Sequence, residues 1–149
     1  ILEKMKAADQ VDCLVVDYLQ LLEPAVKTES RQNDVASTVR YLKELALRHS
    51  IPVLVLAQVN RGSVDRADKK PMLSDLRESG EIEQAADVVI LLHNESKAMG
   101  GDPNESLLDL IVSKNRHGAV GTVHVATELP YCRFANLDTA ALQGLEIEF

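Results

Sequence analysis

The chain has 149 residues, enough for one domain with a sizeable core, and its 46% apolar and 26% charged content is ordinary for a globular protein. No apolar run approaches the roughly 20 residues of a membrane span, and the opening ILEKMKAADQ has no basic segment leading into an apolar one, so it is not a signal peptide. A net charge of −7 argues against a general affinity for nucleic acid.

That charge is uneven. Between Arg61 and Glu78 five basic residues face four acidic ones, a window of +1, so a polyanion could be held there by specific local contacts but not by a broad basic face. With 3% aromatics and no Trp there is little for base stacking, and any nucleic-acid contact is expected to go to phosphate. The two cysteines, Cys13 and Cys132, make no disulfide framework. Cys13 lies in an apolar run and reads as a small core residue, and a reducing, cytoplasmic compartment is expected. The sequence does not open on Met and is expected to begin partway through something longer.

In chain order, VDCLVVDYLQLL (residues 11–22) contains Leu14-Val15-Val16 and then Asp17. A short unbroken apolar run of this kind predicts a strand buried on both faces, as in a parallel sheet. After Glu23-Pro24 and a polar loop, Asn33 or Asp34 is the expected helix cap. Val35, Val39, Leu42, Leu45 and Ala46 then recur at helical spacing, up to about Ser50 before Pro52. PVLVLAQVN is a second buried strand, ending at Gln58. Strand, helix and strand make a βαβ unit. A long polar loop over 60–75 comes next, of the length that is usually functional or disordered. LRESGEIEQAAD (76–87) carries seven polar side chains between apolar segments and reads as a solvated loop with a short helix, or as something more specific. DVVILLH (87–93) is a third strand. NESKAMGGDPNE is a loop, LLDLIVSK and AVGTVHVA flank NRHG as a hairpin with Gly118 at positive φ, and YCRFAN is a last short strand. The tail to Phe149 carries little signal. The fold class is therefore α/β, parallel at first, with an antiparallel hairpin on one edge.

Ligands of open α/β sheets bind beyond the carboxyl ends of strands. Two successive strands here end in Asp17 and Gln58. A carboxylate in that place has the Walker B geometry and can hold Mg²⁺, often through water, while a neutral amide on the next strand can sense a γ-phosphate without adding like charge. Lys114 and Arg116, two apart at a strand end, would leave one face as a cationic fork, or form an exposed hairpin tip. The four histidines and two cysteines have no zinc spacing, and no G-x-S-x-G is present.

VVDYLQLL, LAQVNR, SDLRESGEIEQAADVVILL and SKNRHGAVGTV, in this order from about residue 10 to 135, resemble four successive motifs of the bacterial replicative DNA helicases of the DnaB family. The resemblance implies a partial RecA-like ATPase core, mainly a parallel sheet with a C-terminal antiparallel hairpin. It implies ATP and Mg²⁺ as cofactors, with Asp17 as the Walker B aspartate that supports the metal, and Gln58 as the amide coupling γ-phosphate state to the DNA loops. By the same resemblance Arg77, Glu78 and Gly80 belong to a channel loop that holds the phosphates of single-stranded DNA, and Lys114 and Arg116 form the finger pair that reaches a neighbouring subunit's γ-phosphate. The implied partners are single-stranded DNA, further copies in a homohexamer, primase and a helicase loader, the last two through parts mostly outside this sequence. One departure is large. No G-x-x-x-x-G-K-[ST] is present, none of the seven glycines is followed by Lys, and the family's catalytic glutamate upstream of Walker B is missing. The chain is thus expected to be the C-terminal part of the motor domain and inactive alone. A non-catalytic DNA-binding or assembly module derived from a RecA-like ATPase is the alternative; a related regulatory ATPase is disfavoured by DLRESG.

Overall fold

The computed structural model describes residues 11–24, 30–59, 70–76, 80–101 and 107–137. The chain divides into two compact units, residues 1–59 with 76–86, and residues 60–75 with 87–149.

In the first unit β1 (Leu14–Val16) pairs in parallel with β2 (Val53–Val55), Leu14 opposite Val53 and Val16 opposite Val55. Helix α1 (Arg31–His49) connects them. It starts earlier than the expected Asn33 or Asp34 cap. Ser30 occupies the cap position with extended backbone, and its side chain makes no capping bond. Asp34 lies within the first turn, where its carboxylate suits the positive end of the helix and its carbonyl accepts from the Ser37 and Thr38 hydroxyls at 2.8 and 2.9 Å. At the other end Ser50 turns left-handed (φ 52°, ψ 39°) and its N–H bonds back to Ala46 and Leu47, two residues before Pro52. The apolar stripe of α1 does what its spacing predicts. Val35 and Leu42 are buried against Leu19, with Leu14, Val16, Val53 and Val55 from the strands and Ile82 from helix α2 (Gly80–Ala85) packed around them.

Among the described residues of this unit only one face of the pair is covered. Val15 is 58% and Leu54 60% exposed, so the expectation of strands buried on both faces is corrected to one. An unbroken apolar run cannot report this, because alternation is invisible when both faces are apolar. Cys13, read from the sequence as a core residue, is exposed.

The second unit is a four-stranded antiparallel sheet in the order β3 (Val88–His93), β4 (Leu107–Asn115), β5 (Gly121–Glu128) and β6 (Arg133–Asn136). Among the described residues parallel pairing is therefore confined to β1 and β2, and the antiparallel part is larger than the hairpin expected. Strand β3 alternates strictly. Val89, Leu91 and His93 are buried, whereas Val88, Ile90 and Leu92 are 50–63% exposed. Its buried row continues across the sheet, with His93 opposite Asp109 and Asp109 opposite His124. The Asp109 carboxylate and His124 Nδ1 lie 2.7 Å apart, which satisfies a polar pair that would otherwise be costly to bury. NESKAMGG, expected as loop, contains helix α3 (Glu95–Met99); Asn94 Oδ1 accepts from Lys97 N at 2.8 Å to start it and Gly100 at φ 81° ends it. The β4–β5 connection corrects another expectation. Gly118 has no positive φ. Its need for glycine is steric, since a Cβ there would come 2.5 Å from Asn115 Nδ2. Loop residues 60–69, and the tail from 138, lie outside the described residues. Among the described residues no helix is long and apolar enough to cross a membrane.

Candidate active site

Asp17 comes immediately after β1, and its side chain is exposed at the strand's carboxyl end. It is one of the residues lining a groove of about 350 Å³, with Val16 of β1, Leu22 and, from α1, Tyr41 and Leu45. Gln58 lies three residues past β2 and is also exposed. The two strand ends are held together beyond their last paired residues. Leu56 N–H donates to Val16 O at 2.9 Å, and Leu19 N–H donates to Leu56 O at 2.8 Å. Leu19, 2% exposed, anchors this junction in the core. Gln20 sits beside it, its side chain against the backbone of Gln58. Sequence reasoning gave Gln20 no role, because within VVDYLQLL the aspartate carries the chemistry and only the fold brings Gln20 to position 58.

Among the described residues no three His, Cys, Asp or Glu side chains are grouped to hold a metal ion. A lone exposed carboxylate does not suit a protein-built cage. It does suit Mg²⁺, which takes one or two carboxylates and completes its shell with water and phosphate oxygens.

The third element is α2. Its first residue is Gly80, and among the described residues a Cβ added there would meet nothing within 4 Å, so internal packing does not require the glycine. Helix α2 is fixed to α1 by Ile82 and by a long Arg40–Glu81 ion pair at 3.7 Å, half-exposed and of little energetic weight. Arg77 and Glu78 lie outside the described residues.

Lys114 and Arg116 belong to the second unit. Pairing steps from Val89 opposite Lys114 to Ile90 opposite Val112, which leaves Ser113 as an extra residue on β4. This bulge inverts the side-chain alternation. Lys114 is thereby placed opposite the core-facing Val89 and out of the exposed row of Ile90 and Leu92. The ladder runs one step past β4, because Arg116 N–H donates to Asp87 O at 2.8 Å. The Arg116 guanidinium also lies 3.5 Å from the Asp87 carboxylate, with both side chains nearly half exposed. A half-exposed pair of this kind contributes little to stability. The predicted residues thus fall into two sets, Asp17, Gln58 and Gly80 in the first unit, Lys114 and Arg116 in the second.

Residues 1–136 match the model of the DnaB-like helicase C-terminal domain. The chain belongs to that family. The replicative DNA helicase DnaB of Leifsonia xyli is 48% identical over 134 residues, which are 90% of this chain and 29% of that protein. The corresponding helicase of Geobacillus stearothermophilus is 39% identical over 136 residues, 91% of this chain and 30% of its own length. Among solved structures, an isolated ATPase domain superposes with a TM-score of 0.82 at 37% identity, covering 92% of this chain and 49% of that one. The structure of a DnaB-like replicative helicase and its interactions with primase gives the same score at 38% identity, covering 91% and 34%. The chain therefore spans about a third or less of the DnaB relatives it matches, and about half of the solved ATPase domain.

Proposed function

We propose that this chain is the C-terminal part of the motor of a hexameric replicative DNA helicase, which uses ATP hydrolysis to unwind duplex DNA. One observation carries the reading most strongly. Two adjacent parallel strands in register run out into an exposed carboxylate and an exposed amide, tied together by backbone bonds just beyond the ladder. That is the arrangement a nucleotide site needs at the carboxyl edge of a sheet.

In this reading Asp17 holds Mg²⁺ through water. The metal, when bound, offsets charge on the β- and γ-phosphates. The Gln58 amide approaches the γ-phosphate and reports its presence to α2, which packs on α1 through Ile82. Arg77, Glu78 and the backbone at Gly80 hold the phosphates of single-stranded DNA; that no described residue lies within 4 Å of a Cβ built at Gly80 supports a backbone approached by a ligand. Lys114 and Arg116 act on the nucleotide of a neighbouring copy. Primase and a loader are expected to engage parts outside this chain.

The 149-residue chain supplies no phosphate loop, so no ring of backbone N–H groups and no Lys surrounds the triphosphate. It is expected not to hydrolyse Mg-ATP alone, with or without single-stranded DNA, whereas the complete helicase does. Asp17→Asn in the complete helicase is expected to lower turnover by at least about 10²-fold, because metal stabilisation of developing charge contributes several kcal/mol. Phosphate release near one per second from the 149-residue chain, or a fully active Asp17→Asn hexamer, would overturn the reading.

A further inference from the structure

We infer that Gln20 is a positioning residue for Gln58, locking the main chain that presents the sensor amide to the end of the strand that presents Asp17. The inference rests on the proposed role of Gln58 and adds a residue to that site.

The Gln20 side chain makes two bonds to one peptide segment. Its Nε2 donates to Gln58 O and its Oε1 accepts from Gln58 N, both at 3.3 Å. A carboxamide carries the donor and acceptor of a peptide group. Here it stands in for a strand that has already turned away. Past Val16 the backbone leaves the ladder and enters a 3-10 turn at Leu19–Leu21, closed by Leu21 N to Tyr18 O and Leu22 N to Leu19 O. Among the described residues the main chain past β1 bonds the chain beyond β2 as far as Leu56, through Leu19 N. Gln20 carries the pairing two residues further, to Gln58 itself.

Both backbone polar groups of Gln58 are thereby engaged, so its own side chain is the part left to face a ligand. The metal-side and sensor-side strand ends also become one rigid piece, anchored by Leu19 at 2% exposure. Glutamine is specifically required. Glu keeps the acceptor for Gln58 N–H but sets a carboxylate oxygen against Gln58 O, Asn is one methylene too short, and Ala removes both bonds. The bonds are long and lie near the surface, so the fold does not depend on them; what they fix is orientation, to which chemistry is more sensitive than stability.

The test uses the complete helicase, with kcat and KM for ATP measured with and without single-stranded DNA. Gln20→Ala, Gln20→Glu, Gln58→Ala and the double Gln20→Ala/Gln58→Ala are compared, and amide hydrogen exchange is followed at Gln58. Gln20→Ala and Gln20→Glu are expected to lower the DNA-stimulated kcat by roughly tenfold with KM within about threefold, since misorientation acts on the chemical step more than on binding. The double variant should be no worse than Gln58→Ala, because the two act through one group. Exchange at the Gln58 amide should quicken in Gln20→Ala with the melting temperature unchanged. If Gln58→Ala abolishes stimulation while Gln20→Ala matches the parent, the positioning role is overturned. The same holds if Gln20→Ala loses activity only by melting early. If Gln58→Ala itself keeps full stimulation, the sensor reading fails instead, and exchange then decides the clamp: unchanged protection at Gln58 in Gln20→Ala overturns it, faster exchange upholds it.

Discussion

In the first unit the candidate side chains stand where strands of three residues run out beneath a helix of nineteen; in the second they stand at the tip of paired strands of nine and eight residues, beyond a bulge. The short strands fix little beyond a direction. Asp17 and Gln58 are located by contacts beyond the ladder, namely the 3-10 turn, the buried Leu19 and the Gln20 bonds. The long strands fix register, and one extra residue, Ser113, decides on which face Lys114 stands. A position set by a junction is sensitive to side-chain hydrogen bonds, whereas one set by register is sensitive to insertion or deletion of a single residue. The two units should therefore fail in different ways.

The largest expected effect separates them by function. Arg116→Ala in the complete helicase should leave nucleotide binding largely intact and reduce turnover by roughly 10³-fold or more, as for other arginines that act in trans. Mixed hexamers of Arg116→Ala and Asp17→Asn subunits should regain activity at those interfaces where an intact Asp17 meets an intact Arg116. A pure Arg116→Ala hexamer that hydrolyses ATP at the parental rate, or mixtures that never exceed either variant, would end the idea that the two units serve opposite sides of one interface.

A smaller effect is expected at Arg77, under the DNA-binding role proposed for it. Arg77→Ala should weaken single-stranded DNA binding with little dependence on base sequence and lower the salt slope by about one unit, the signature of one lost phosphate contact. Filter binding across a salt series reads both quantities. An unchanged slope would remove Arg77 from the phosphate contacts and leave Gly80, where no described residue lies within 4 Å of a built Cβ, as the remaining support for a DNA-facing backbone.

How much of this was legible from residues alone divides along the same line. The α1 stripe was readable because Val35, Leu42 and Leu45 repeat at the helical period and all are buried. The end of β1 before Asp17 was readable because its apolar run stops abruptly at a polar residue; β2 was expected to run to Gln58 but ends at Val55, because Leu56-Ala57 prolong the apolar run without prolonging the ladder. The one-sided burial of β1 and β3 was not, since apolar side chains on both faces hide the period of two; Ile90 and Leu91 look alike in sequence yet are 52% and 4% exposed. The bulge was not legible because register is a property of two strands. The Gln20 contact was not because it joins positions 38 residues apart. The cap of α1 misled for a physical reason, as Asn33 and Asp34 suit a cap by composition but lie inside the helix, where Asp34 accepts side-chain hydroxyls through its carbonyl.

The smallest predicted effect sharpens the claim that the second unit depends on turn geometry. Asn115 closes the β4–β5 connection with its own side chain, Nδ2 donating to Ala119 O at 3.1 Å and Oδ1 accepting from His117 N at 3.3 Å. A Cβ at Gly118 would come 2.5 Å from that Nδ2, so Gly118→Ala must push the Asn115 amide out of place. Being the end of a side chain, the amide can yield, and the cost is the pair of exposed hydrogen bonds it leaves, about 1 kcal/mol in total. The backbone conformation at Gly118 adds no penalty, because its φ is not positive. Urea denaturation of the complete helicase should show that loss. In an Asn115→Ala background the same Gly118→Ala change should cost nothing further, because the atom it displaces is gone, giving a coupling close to the whole single-mutant effect. Arg116 lies between the two positions, so Gly118→Ala should also lower turnover several-fold, while α1 and the ends of β1 and β2 keep their hydrogen-exchange protection. If Gly118→Ala costs as much with Asn115 removed as with it present, the glycine is required by the backbone itself, and the turn-closing role of Asn115 must be given up.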